Sequence, residues 1–198
     1  KLNSSKQQIA ITGGAITNQR GLYPNGATMQ NFSLYSLHHF QFGKLNAEAG
    51  VRYNTLQINV DSALVKPSSL VFNAALLYQI DPTQSVYASY STGYRAPNID
   101  DMGTLGLVDF RYEVPAYGLK PEKTYNTEIG YKMASKKLQL SMALYYMHLT
   151  NIINRVQVQG QQIGGYNVYI KENNQESFIK GFEYDLQVQV SKKILINS

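Results

Sequence analysis

Apolar and polar residues alternate along most of this chain with a period of two, and a helical period is persuasive nowhere. Ser69 to Ile80 is the clearest run. Leu70, Phe72, Ala74, Leu76, Tyr78 and Ile80 fall on one face, and Ser69, Val71, Asn73, Ala75, Leu77 and Gln79 on the other. The stretches Leu45 to Tyr53, Thr124 to Lys132, Leu138 to Tyr146 and Phe182 to Val190 repeat the pattern. Each predicts an antiparallel strand with one apolar wall and one polar or mixed wall. The polar wall carries Glu48, Arg52, Asn126, Glu128, Lys132, Glu183 and Asp185.

The connections sharpen the picture. Gly43-Lys44, Asp81 to Gln84, Ala134 to Lys137 and Ser191 to Lys193 read as short turns. Between them lie longer segments at 18–30, 61–68, 95–122 and 151–176. Alternating short and long connections put every short turn at one end of an up-and-down sheet and every long loop at the other. Transmembrane β-barrels have this asymmetry. Several runs also reach the roughly 9–11 residues that a strand needs to cross hydrocarbon, where soluble strands average about 5–6. The expected fold is all-β: an antiparallel up-and-down meander forming a segment of a transmembrane β-barrel. A soluble antiparallel sheet packed on another apolar surface has the same alternation and stays open on pattern alone.

The longest interruption, 95–122, follows Tyr90-Ser-Thr-Gly-Tyr-Arg95. Pro97 has no N–H to give to a ladder and ends the pairing. Arg95 brings charge to the point where the strand would leave lipid, and Pro121 closes the excursion. A loop at this end is free to serve binding, which makes Arg95, Asp100, Asp101 and Arg111 candidate ligand contacts. A solvated turn is the plainer account of the Asp100-Asp101 pair.

Composition agrees with a barrel wall. The chain has 198 residues, 16 of them Tyr, with no Trp and no Cys, so it has no disulfide or thiolate chemistry. Charged residues are 16% of the total, against about 25% in soluble domains, yet the mean hydropathy is -0.29. No stretch approaches the roughly 20 apolar residues of a membrane-spanning helix. Lys1 to Lys6 is polar and is no signal peptide, so any export signal lies upstream or has been removed. The net charge of +5 rests partly on Lys136-Lys137 and Lys192-Lys193 at turns, and no nucleic-acid partner is expected. Tyr53, Tyr94, Tyr131 and Tyr146 are expected near strand ends, as an interfacial aromatic girdle requires.

Catalytic chemistry finds little support. Adjacent His38 and His39 point to opposite faces of a strand and cannot share a metal from one side, and His148 is distant. Neither a nucleophile elbow nor a phosphate-binding loop occurs. Gly160 to Gly165 is only loosely glycine-rich and is expected to shape a loop, and the Asn31-Phe-Ser33 sequon begins a strand. We expect no enzyme activity, no cofactor and no metal site.

Several motifs together carry a family resemblance. Ser91-Thr-Gly-Tyr-Arg-Ala-Pro-Asn98, then Leu119-Lys-Pro-Glu-Lys-Thr-Tyr125 leading into Glu128-Ile-Gly130, resembles the barrel of TonB-dependent outer-membrane receptors, with Tyr94 where the family often has Phe. Gly50-Val-Arg-Tyr53 and Ile179-Lys-Gly-Phe-Glu183 are similar to other strands of that family, and the likeness spans about Asn31 to Val190. The resemblance implies a receptor in the outer membrane of a Gram-negative bacterium that imports a scarce nutrient, such as a ferric siderophore or cobalamin. It implies further partners: outer-membrane lipid, a plug domain of the same parent chain, the TonB energy-coupling protein reached through an N-terminal part, and an extracellular small-molecule ligand. Glu48, Arg52, Glu128, Lys132, Glu183 and Asp185 would then line the lumen. No plug and no terminal aromatic strand are seen, and the chain has about eight or nine strands against roughly 22 in large transporters. It is therefore expected to be an internal piece of a barrel. A soluble β-sheet module that binds carbohydrate or protein, and a small passive pore or adhesin, are the alternative functions.

Overall fold

The computed structural model describes residues 2–3, 8–12, 15–191 and 194–197. In chain order the strands are β1 (Leu2–Asn3), β2 (Gln8–Thr12), β3 (Ala15–Gln19), β4 (Thr28–Phe42), β5 (Leu45–Val60), β6 (Ala63–Val65), β7 (Ser68–Asp81) and β8 (Gln84–Arg95). A short helix α1 (Ile99–Gly103) follows, then β9 (Gly106–Val108), β10 (Arg111–Glu113), β11 (Glu122–Ala134), β12 (Leu138–Ile163), β13 (Tyr166–Ser191) and β14 (Ile194–Asn197). The long strands β4, β5, β7, β8, β11, β12 and β13 lie side by side in chain order within one 12-stranded sheet. They pair antiparallel, so the wall is an up-and-down meander.

The register sorts the side chains onto two faces. Val51 lies level with Phe72, Leu76 with Ala88, and Ile129 with Ala88 and Leu144. This face is open: Leu34 is 67% exposed and Leu70 62%. Such a face is unstable in water, because apolar area left uncovered forgoes about 25 cal/mol per Å². It suits hydrocarbon instead. On the opposite face the side chains of Glu48 and Asn73 are hydrogen-bonded at 2.7 Å, and Arg52 donates to Ser33 Oγ at 2.9 Å. Two glycines on this face are seats for tyrosine rings. The Tyr87 ring lies over Gly130 and the Tyr145 ring over Gly181, where a Cβ would collide with them. Tyr87 then donates to Glu128 Oε1 at 2.6 Å, and Lys132 Nζ sits 5.3 Å from the same ring.

Connections differ at the two ends, with some corrections to expectation. The turns at 43–44, 82–83 and 135–137 sit together at one end, where Gln79 N–H donates to the Lys44 carbonyl and Ala134 N–H to the Thr83 carbonyl. The expected turn at Lys192-Lys193 lies outside the described residues. At the far end, 18–30 takes in the last of β3 and the start of β4, and 61–68 contains β6, which folds back on β5. Segment 95–122 is folded: it holds α1, β9 and β10. Segment 151–176, expected as a loop, is instead the outer half of a continuous β12–β13 hairpin that turns at Gly164-Gly165. Both glycines have positive φ, 59° and 82°, as a two-residue hairpin turn needs. Local alternation is weak there because three register shifts interrupt the ladder.

A small core sits at this far end. Leu56, Ile58 and Val60 of β5 pack with Ala27, Met102, Ala116 and Leu119. By parity these β5 residues share the face of Glu48 and Arg52. The polar face of β5 turns apolar there because the folded 95–122 segment covers it. Of the expected girdle, Tyr53 is exposed on the apolar face near the far end of β7. Tyr131 lies near the short turns, its hydroxyl 2.6 Å from Gln84 Oε1. Tyr146 stands level with Thr127, in the middle of the wall, and Tyr94 packs against the core. Tyr94 departs because β8 parts from β7 above Ser91, where Thr92 Oγ1 replaces a ladder partner of Phe72.

Candidate functional site

The far end of the sheet concentrates charge around the folded segment. Asn98 caps α1 by accepting from Asp101 N–H at 2.7 Å, and Asp101 returns a bond to Asn98 N–H at 3.1 Å. Arg95, the last residue of β8, grips both Glu122 oxygens at 2.7 and 2.9 Å and Asp101 at 2.7 Å. Lys171 of β13 reaches Asp100 at 3.2 Å. Burial pushes the Asp100 carboxyl up, but Lys171, Thr104 and Tyr23 outweigh it and hold it below the usual carboxylate range. Thus Arg95, Asp100 and Asp101 meet in one network. Arg111 stands apart, paired to Asp109 at 3.1 Å and over the Tyr169 ring.

A second anchor lies across the segment. Arg20 holds Asp61 at 2.8 Å through Nη2 and 3.2 Å through Nε, and also donates to the Gly103 carbonyl at the end of α1. Tyr117 donates to the same Asp61 carboxylate at 2.7 Å. The Arg20 hydrogen bonds hold Asp61 below the usual carboxylate range against partial burial, with Tyr117 adding to the effect. Burial and the Asp61 carboxylate together push the Tyr117 hydroxyl up. Arg155 pairs with the buried Glu113 at 2.6 Å, and Asn173 brackets Lys120 by donating to its carbonyl and accepting from its N–H. Between residues 115–120 and the hairpin residues Asn151 and 170–173 opens a cavity of about 470 Å³.

The six charged residues expected on one wall do share it. Glu48 is level with Ala75, Arg52 with Val71, Glu128 with Ser89 and Tyr145, Lys132 with Ser85 and Ser141, Glu183 with Ala143, and Asp185 with Ser141. His38 and His39 point to opposite faces: His38 stacks on Phe40, and His39 is 3.4 Å from Glu48. His148 lies flat on Phe178 with ring centres 4.4 Å apart. Sequence reasoning missed Arg20, Asp61, Tyr117, Lys171 and Asn173. These come from four different segments, and no local pattern links partners up to 71 residues apart.

Comparison with known proteins agrees with this geometry. The family described as "TonB dependent receptor-like, beta-barrel" matches residues 3–197. Over 151 residues the chain is 26% identical to the hemophilin receptor of Acinetobacter baumannii, and over 109 residues 29% identical to the rhizobactin receptor of Rhizobium meliloti. These matches cover 69% and 50% of this chain, and the chain spans 13% of the length of each relative. Among solved structures, the Serratia marcescens hemophore receptor HasR superposes on 89% of this chain with a TM-score of 0.71 at 17% identity, using 34% of its own chain. The FrpB iron transporter of Neisseria meningitidis superposes on 84% with a TM-score of 0.68 at 18% identity, using 24% of its own. At these identities the structural likeness speaks for the fold.

Proposed function

The chain belongs to the TonB-dependent receptor family through its β-barrel portion, a family of transporters of the Gram-negative outer membrane, and from that premise we propose that it forms part of the wall of a receptor for active uptake of an iron-bearing nutrient, a ferric siderophore or haem. The observation that carries the reading is the two-faced sheet, with an apolar face open to hydrocarbon and a charged face opposite. Relatives named as a hemophilin receptor and a rhizobactin receptor are the reason for favouring haem or a siderophore over cobalamin. In this reading Glu48, Arg52, Glu128, Lys132, Glu183 and Asp185 line a hydrated lumen against the plug of the parent chain. TonB acts through that plug, and no bond of the solute is broken. Arg95, Asp100, Asp101 and Lys171 keep the 95–122 segment folded on the lumen side of the outer mouth. There the segment shapes the entrance that the solute meets.

The test is deletion of the parent gene followed by iron-limited growth on haem or on single ferric siderophores as sole iron source. Growth is expected to fail on one source and to return with the intact gene. Uptake of that source should also stop when the proton gradient is collapsed. Unchanged growth on every source would sink the reading.

A further inference from the structure

The outward, apolar face of the wall is almost free of charge, and its exceptions gather in one place. By parity that face carries the odd residues of β11 and, up to the level of Thr150, the even residues of β12 and β13. Lys123, Glu176 and Lys180 fall on it, beside Tyr125, His148 and Phe178. Across the outward positions of β4, β5, β7 and β8 no Asp, Glu, Lys or Arg occurs among the described residues. Charge on a lipid-facing strand is costly at the middle of the bilayer and nearly free at its edge. A cluster confined to three adjacent strands of such a face calls for a partner.

Height fixes where the cluster lies. The ladder of β11 with β12 starts at Ala134–Gln139, beside the short turns. At about 3.4 Å per residue and a tilt of roughly 40°, the Tyr125–His148 pair stands about 23 Å up the wall. The apolar band of such a barrel is about 25 Å tall. His148 therefore marks its outer edge. Lys123, level with Thr150, stands just above that edge. Lys180, level with Tyr146, starts about 5 Å below it at the same rise and tilt. Its long chain lets the ammonium snorkel up to the edge.

The groups between the two lysines are tied to one another. The His148 ring stacks on Phe178 at 4.4 Å and leans on Tyr125 at 6.1 Å. Its Nε2 is hydrogen-bonded to Glu176 at 3.2 Å, so the one acid of the cluster is already engaged. Both lysines are exposed, and the ammonium of neither has an ion-pair partner among the described residues.

We propose that Lys123 and Lys180 bind the phosphorylated headgroup of a glycolipid in the outer leaflet, with Tyr125, His148 and Phe178 as the wall between them. The inference rests on the barrel reading above, which turns this face to lipid and this end outward. Charge complementarity selects the occupant. Two unpaired cations at the edge of hydrocarbon meet lipid phosphates at the depth where those phosphates lie. An acidic protein would have to bring carboxylates to the same rim and desolvate them there. Strands about 4.8 Å apart put β11 and β13 about 10 Å from each other. That spacing suits a phosphate at each end of a disaccharide headgroup better than the single phosphate of a phospholipid.

The test uses the full-length receptor extracted from its own outer membrane in mild detergent. Three forms are compared: wild type, Lys123→Gln with Lys180→Gln, and, as a control at the short turns, Lys136→Gln with Lys137→Gln. Native mass spectrometry weighs the lipid that stays on each barrel, and heat-modified mobility on gels reports that each has folded. Wild type and control are expected to retain one diphosphorylated glycolipid per barrel, and the outward variant at least tenfold less. Added back to stripped wild-type barrel, the glycolipid should bind at least tenfold more tightly than its phosphatase-treated form. This arm needs no variant to fold, and equal binding of the two forms would overturn the proposal. So would equal retention by all three receptors, a wild type that carries only phospholipid, or a bound protein lost together with the two lysines. A receptor that feeds cells with iron yet retains no glycolipid would overturn the proposal and leave the transport reading standing. One that holds the glycolipid through these lysines but supports growth on no iron source would count against the transport reading alone.

Discussion

At the scale of single residues, the polar face shows how a glycine inside a strand can be selected by its neighbour. Gly130 sits under the Tyr87 ring and Gly181 under Tyr145. In a strand, glycine alone weakens the element. Here it lets a large ring lie flat, and that ring then reaches Glu128. Gly130→Ala is expected to destabilise the barrel by about 1–3 kcal/mol, the cost typical of overpacking. Combining it with Tyr87→Ala should remove much of that penalty, because the collision disappears. A double-mutant cycle on heat-induced unfolding of the outer-membrane barrel measures the coupling. Additive effects would show that the ring swings aside at no cost.

At the scale of elements, the 95–122 segment is held at two anchors, Arg95–Asp101–Glu122 with Lys171, and Arg20–Asp61–Tyr117. Asp61 has its pKa lowered in the folded state. Its contribution is therefore fully present above the unfolded value of about 3.9 and is lost as pH falls through the folded value beneath it. The segment should stay protected at pH 5 and loosen only below about pH 4. Hydrogen exchange at Met102 and Gly103, corrected for the intrinsic rate at each pH, reads this directly. Asp61→Asn should give the loosened state already at pH 7. Asn tolerates the φ of 51° at this position, so the change isolates the charge. Unchanged protection in that variant would assign the anchoring to the apolar core around Met102 instead.

At the scale of the whole molecule, the two faces of the sheet should respond oppositely to charge. Leu76→Arg, on the exposed apolar face in the middle of β7, is expected to cost about 2–4 kcal/mol in a bilayer. Ala75→Arg, one residue earlier and on the other face, should cost far less. Heat-modified mobility of the outer-membrane receptor on gels separates the two, and equal effects would contradict a lipid-facing wall. The period of two was readable in the sequence because a strand points successive side chains to opposite sides whatever it packs against. That period determined the strands, the two walls, the short turns and the shared face of Glu48, Arg52, Glu128, Lys132, Glu183 and Asp185. The motif Arg95-Ala-Pro97 with Leu119-Lys-Pro-Glu122 carried the family. The chain order could not reveal the outer end. The pairing of Arg20 with Asp61, the fold of 95–122 onto β5, and the continuation of β12 and β13 through 151–176 all join residues far apart in sequence or interrupted by bulges. Only tertiary structure decides such contacts, because they depend on where separate strands end in space and no local periodicity records that.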